Sequence, residues 1–254
     1  MCIRDRTISV GIIVMIVGVP IALMMRPHPE EYGYLPDGAK HTADEQSSLE
    51  ESVSSADSTS ISEALKSRSF WFLGFSHSAG ITAWGALQVH QIPALVDIGI
   101  NELTAAGVVS YTLVISAFGR LAGGFLGDIL GTKRVTAVAF IAQGASVVIL
   151  AYAQSMTSVM VFATIFGIGF GTRGTLMTVL RAEVFGRKNF SRLAGLMDPV
   201  SSVSVLISPI FAGFIFDSSG SYQFAFLVLA AVNASGALLL LGIKMQKRER
   251  RAST

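Results

Sequence analysis

One cysteine in 254 residues, Cys2, excludes an internal disulfide framework and leaves no thiolate cluster for zinc or iron–sulfur. Charge is scarce too. Asp, Glu, Lys and Arg make up 14% of the chain, the net charge is +2, and no basic stripe with interleaved aromatics points to nucleic acid. The apolar segments hold no HExxH, no GxSxG and no paired acidic residues, so an enzyme reading has no chemistry to stand on, and no metal or cofactor is expected. Lysine is missing from every apolar segment; Lys244 stands at a boundary, so no retinal-type Schiff base is provided for. What the chain has in abundance is hydrophobic surface. Such residues are 51% of it and the mean hydropathy is +0.58, far from a soluble domain of this length.

The apolar residues gather in seven segments, read as spans at 7–25, 70–96, 103–127, 135–153, 157–180, 193–216 and 222–243. Each is long enough to cross the roughly 30 Å hydrocarbon core as a helix. The first is long for a signal-peptide core, and Arg26-Pro27-His28-Pro29 stands where a small-residue cleavage site would be needed. Lys and Arg collect in alternate connections: 26–69, 133–134, 181–192 and the tail 244–254. The connections 97–102, 154–156 and 217–221 have neither. The basic side is the cytoplasmic one, which puts the C-terminus inside and the start of the first span outside. Arg4 and Arg6 break this rule, and residues 1–6 are read as a non-native start. The expected location is a bacterial inner membrane.

The one long connection, 26–69, is rich in Ser, Asp and Glu between Thr42 and Ser62, the composition of a disordered cytoplasmic linker. It closes with Ser60-Ile61-Ser62-Glu63, a capping-box pattern that opens a short surface helix. The linker divides the chain into one helix and then a block of six, residues 70–243.

The strongest local signal runs from Gly119 to Arg134. Gly119, Gly123, Gly127 and Gly131 recur every fourth residue, a bare helix face for close packing. Arg120, Gly124 and Asp128 line the adjacent face. The stretch Gly124-x-x-x-Asp128-x-x-Gly131-x-Lys133-Arg134 resembles the cytoplasmic-loop signature of the major facilitator superfamily, in the version between helices eight and nine. Ile129 departs from it where a basic residue is usual. Pro29 to Gly38 and Glu63 to Trp71 resemble the central loop of the branch holding monocarboxylate transporters and oxalate:formate antiporters. The resemblance implies an all-α integral membrane fold of seven transmembrane helices, the last six forming one six-helix half. Span one then belongs to the other half, helices one to five of that half are missing, and the polypeptide alone is expected not to transport. Two halves rocking around a midplane site would carry the solute.

Charges inside the spans are the candidate site. Arg120 lies about two turns inside span three, where a guanidinium needs a partner or a water-filled cavity. It either takes a substrate carboxylate in bidentate fashion, as the resemblance implies, or pairs with Asp128 or a helix C-terminus. Arg173 and Asp198 lie at similar depths on adjacent antiparallel spans. They neutralise each other, or Arg173 binds the anionic substrate while Asp198 exchanges a coupling proton. The antiporter branch has a lysine in span six; Ser201 and Ser202 occupy that region here, which speaks against a dianion. His77 either relays a proton at the substrate site or bonds a neighbouring helix. His90, Gln91 and Pro93 are interfacial. Ser76, Thr82, Gln88, Gln143, Thr172, Thr175 and Asn233 either line a pathway or bond across helices. Gly169 to Gly174 matches GxGxxG but has no preceding strand, so a close helix crossing replaces a dinucleotide site. Asn189-Phe190-Ser191 is a glycosylation triplet on the wrong side of the membrane.

The function expected from these residues and the resemblance is a secondary active transporter for a small organic anion such as a monocarboxylate, with proton coupling in either symport or antiport. Its partners are the bilayer and the anion. A seven-helix receptor is the alternative.

Overall fold

The structure is a computed structural model, and it describes residues 3–24, 65–186 and 190–243. The linker 42–62, the pattern at 60–63, the stretch at 29–38, Asn189 of the glycosylation triplet and the tail 244–254 lie outside the described residues. Two compact units divide the chain, Met1–Ala56 and Asp57–Thr254. In the first, α1 (Ile3–Met24) takes in residues 3–6 as well as the expected span and contains Pro20.

Among the described residues the second unit holds six helices: α2 (Arg68–Asp97), α3 (Glu102–Leu130), α4 (Thr132–Ala151), α5 (Met156–Phe185), α6 (Phe190–Ser219) and α7 (Gln223–Leu241), successive ones antiparallel. No strand occurs among the described residues. The helix starts follow ordinary capping chemistry. Ser67 accepts the Phe70 N–H at 3.2 Å, Asn101 accepts the Thr104 N–H at 2.9 Å, and Ser155 and Ser158 cap α5 reciprocally. Gly131 and Gly186 end α3 and α5 with φ of +91° and +74°, a conformation that favours glycine.

Among the described residues five helices, α3 to α7, are long and apolar enough to cross a membrane. At 30 residues, α2 is about 45 Å long, so reach is not its shortfall. Ser76, His77, Ser78, Gln88, His90 and Gln91 dilute its apolarity, and most of these polar groups turn inward or toward a cavity.

Packing follows the small residues. A methyl group on Gly119 would stand 2.6 Å from the Ile168 carbonyl oxygen, one on Gly123 2.7 Å from Thr172 Cα, and one on Gly127 2.6 Å from Leu176. The bare face of α3 therefore seats on α5 at backbone contact, where the Thr172 hydroxyl donates to the Gly119 carbonyl at 2.9 Å. Dispersion and such bonds hold helices together where lipid supplies no hydrophobic drive. The GxGxxG stretch works the same way. Gly171 abuts the Ser116 carbonyl of α3, and Gly169 abuts Ala139 and Gln143 of α4. The other extensive pairings are α2 with α6 and α7, and α4 with α5 and α7.

The ends of α2, α3, α5 and α6 run past the apolar segments, most of all at the C-terminus of α5. The expected connection 181–192 shrinks, and Arg181 falls inside the helix rather than in a loop.

Candidate functional site

Arg173 is the largest fully buried side chain, 1% exposed. Its Nε donates to Gln143 Oε1 at 2.9 Å, and its guanidinium carbon lies 5.5 Å and 5.6 Å from the ring centres of Phe140 and Phe170. Two aromatic faces around a desolvated cation contribute on the order of 2 kcal/mol each at best. Gly80 makes the room: a methyl group there would meet Arg173 Nη1 at 2.8 Å and Phe140 at 2.6 Å. Gln143 and Asn233 both donate to the Gly80 carbonyl, at 3.3 and 3.2 Å. Four helices, α2, α4, α5 and α7, thus meet in one polar knot. The expected Arg173–Asp198 pair does not form. Similar depth brought the two level, but direction around the axis kept them apart. Arg173 shares the α4-facing side of α5 with Gly169, one turn before it. Arg173 lines none of the described cavities, and Trp84 stacks on Phe170 at 5.5 Å.

Asp198 takes a different arginine. Its Oδ1 stands 3.6 Å from Arg181 Nη1, with the Arg181 side chain 11% exposed and that of Asp198 62% exposed. Asp198 also lines a cavity of about 570 Å³ with His77 and Ile81 from α2 and Ser201, Ser202, Val205, Leu206 and Pro209 from α6. Beside it, Gly85 brings α2 within 3.0 Å of the Val205 backbone, counted from a built methyl, and α6 contains Pro199 and Pro209, neither of which has a backbone N–H to donate. Among the described residues, the buried side-chain atoms without a hydrogen-bond partner are His77 Nδ1, Ser78 Oγ, Gln91 Nε2, Arg173 Nη1, Nε and Nη2 of Arg181, Ser201 Oγ and Asn233 Oδ1, of which His77 and Ser201 belong to residues lining this cavity. Each such group costs about 1–3 kcal/mol.

Arg120 is exposed and does not line this cavity. Gly124, one turn on, has nothing within 4 Å of a built methyl. Leu113, two turns before Arg120 on the same face, and Phe118, Leu121 and Phe125 are exposed large apolar side chains of α3. No Arg120–Asp128 ion pair is present; Arg181–Asp198 is the only one among the described residues. In the gate motif, Gly131 turns the chain, and Lys133 Nζ donates to the Leu241 and Ile243 carbonyls at 3.1 and 2.8 Å, capping α7. Thr132 donates to Glu183 at 3.1 Å, and Arg134 is exposed.

Most of the other polar residues bond across helices. Ser76 donates to the Gly236 carbonyl at 2.9 Å, and Gln143, Thr172 and Asn233 have the partners given above. Thr82 bonds its own helix, Gln88 is exposed and Thr175 half-buried. At the far end, His90 Nε2 donates to the Pro209 carbonyl at 2.9 Å, while Nδ1 meets the Tyr222 hydroxyl at 3.1 Å. His90 thus clasps α2, α6 and the turn before α7.

Arg181 escaped the sequence reading because hydropathy reports the bilayer, not where a helix ends. The signal that marks it is the Gly186 stop, five residues beyond Arg181.

Residues 91–254 match the family model described as Major Facilitator Superfamily. Monocarboxylate transporter 12 of Rattus norvegicus is 30% identical over 169 residues, 65% of this chain and 35% of that protein. Monocarboxylate transporter 2 of Meriones unguiculatus is 28% identical over 147 residues, 56% of this chain and 29% of that protein. The chain thus spans about a third of the length of the curated relatives it matches. The crystal structure of a point variant of the E. coli fucose:proton symporter, FucP, superposes with a TM-score of 0.65 at 18% identity, covering 96% of this chain and 56% of that one. At that identity the likeness shows the fold alone.

Proposed function

This chain belongs to the Major Facilitator Superfamily and is related to monocarboxylate transporters, and from that premise we propose that it forms one side of an alternating-access pathway for a small organic monoanion. The observation that carries the reading is the grouping of His77, Asp198, Ser201 and Ser202 around one cavity between α2 and α6. Arg120 supports it from α3, where Gly124 leaves the adjacent turn open. In this reading Arg120 takes the carboxylate, Asp198 carries the exchangeable proton and His77 lines the path. Arg173, fully buried, contributes only its positive field, which favours an anion in the cavity. The basic ends of the helices face the cytoplasm. The receptor alternative gains no support from the matched proteins.

The test is equilibrium binding of labelled solutes to the chain in lipid nanodiscs. Pyruvate is expected to bind, acetamide not at all, and oxalate more weakly than pyruvate because span six offers Ser201 and Ser202 in place of a second cation. Equal binding of acetamide, or no binding of pyruvate, contradicts the proposal.

A further inference from the structure

We infer that the groove between α6 and α7, with α2 at its base, seats an acyl chain of an anionic phospholipid whose phosphate lies against Lys66 and Arg68. The inference goes beyond the carrier reading and does not depend on the solute.

Both α6 and α7 pack extensively on α2, yet they scarcely meet each other. Between them is a cavity of about 240 Å³, lined by Thr82 of α2, Val203 and Ile207 of α6, and Val228 and Val232 of α7. Val203, Ile207 and Val232 are exposed, so the groove opens to the outside of the bundle. Its hydroxyl hydrogens are already taken. Thr82 donates to the Ser78 carbonyl at 2.7 Å, and Ser204 and Ser208 donate to carbonyls of their own helix at 3.3 and 3.4 Å. A hydrocarbon chain suits such walls, whereas a polar guest would lose its hydration without replacement.

The face of α2 that meets the groove continues to the basic end of the helix. Arg68, Trp71, Phe75 and Thr82 follow one another at intervals of three, four and seven residues, which places them on one face. Trp71 and Phe75 are exposed and stack at 5.7 Å. The Trp71 indole N–H donates to the Leu65 carbonyl at 3.0 Å, which ties the residue next to Lys66 back to this face. Lys66 and Arg68 are both exposed and have no ion-pair partner among the described residues, and α2 has no acidic residue before Asp97 at its other end.

Positive charge, then an indole, then a phenyl ring, then an apolar groove is the order of a lipid's phosphate, interfacial region and chain. Trp71 and Thr82 stand about 16.5 Å apart along the axis, close to one leaflet of a roughly 30 Å core. A zwitterionic headgroup would bring its own cation to Lys66 and Arg68, so the charge at this end selects an anionic lipid.

The experiment places the whole chain in phosphatidylcholine nanodiscs with a trace of phosphatidylglycerol that carries a diazirine near the end of one acyl chain. Labelled peptides are located by mass spectrometry after illumination. Label is expected on 203–211 and 228–232, and the same diazirine on phosphatidylcholine should label them at least tenfold less. Lys66→Gln combined with Arg68→Gln should bring the two lipids level, since each basic residue near a membrane surface is worth about fivefold. Ile207→Trp, which fills the groove and leaves both cations in place, should cut the label there. Equal groove labelling by the two lipids in the native chain overturns the inference without any variant having to fold. A phosphatidylglycerol preference that survives the loss of both cations overturns it too, as does label spread evenly over the other exposed helix faces. Exclusion of label from the groove, the result of a second copy seated there, counts equally against it.

Discussion

Adjacent glycines in α3 should respond to alanine in opposite directions. A methyl group on Gly123 stands 2.7 Å from Thr172 Cα and 2.9 Å from its Cγ2, and ordinary contact begins at 3.4 Å. The nearer atom is backbone, so α3 and α5 have to part by about 0.7 Å. That movement stretches the Thr172 to Gly119 hydrogen bond from 2.9 Å to the limit of useful geometry. Losing it removes about 1 kcal/mol, and overpacking a seated interface costs a further ~1–3 kcal/mol. The better helix propensity of alanine returns at most about 1 kcal/mol. Gly123→Ala should therefore destabilise the chain by roughly 1–3 kcal/mol. Gly124 has nothing within 4 Å, so Gly124→Ala collects only the propensity gain. Reversible unfolding in mixed micelles, followed by far-ultraviolet circular dichroism, reads both. Equal midpoints for the two variants, or a more stable Gly123→Ala, would refute the backbone-contact account of the α3–α5 interface.

The polar knot predicts coupling. Arg173→Met strands Gln143 Oε1 and should lower stability by about 1–3 kcal/mol, while adding Gln143→Leu should recover part of that loss; simple additivity in a double-mutant cycle would argue against the knot. Lys133→Ala removes two bonds to the end of α7, and hydrogen exchange in the last turn of that helix should accelerate with little change elsewhere. Tyr222→Phe takes away one half of the His90 clasp and should cost about 1 kcal/mol in micelle unfolding, with His90→Phe costing more because the Pro209 contact goes as well.

Much of this was legible in the chain. Of the four-residue glycine repeat at 119–131, Gly119, Gly123 and Gly127 form the face that seats on α5, while Gly131 ends the helix instead. The motif at 124–134 named the family that residues 91–254 match. The unread parts share one physical cause. Hydropathy gives depth in the bilayer but neither the helix ends nor direction around an axis. Arg173 and Asp198 were level, yet one faces α4 and the other a cavity, and Arg181, placed in a loop, supplies the ion pair instead. The cavity itself is lined by α2 and α6, two segments far apart in the chain, and no local pattern encodes it. The low apolarity of α2 was likewise hidden inside a span of adequate length. Its polar groups are there because they bond the inside of the bundle.

The central claim is that Arg120 meets a carboxylate. Its most direct test is the affinity of labelled pyruvate for the chain in nanodiscs, compared between the native protein and Arg120→Lys, which keeps the charge and loses the fork. The account predicts a loss of more than tenfold with the melting temperature unchanged, since this exposed side chain supports no packing. Unaltered affinity would remove Arg120 from the pathway and contradict the assignment.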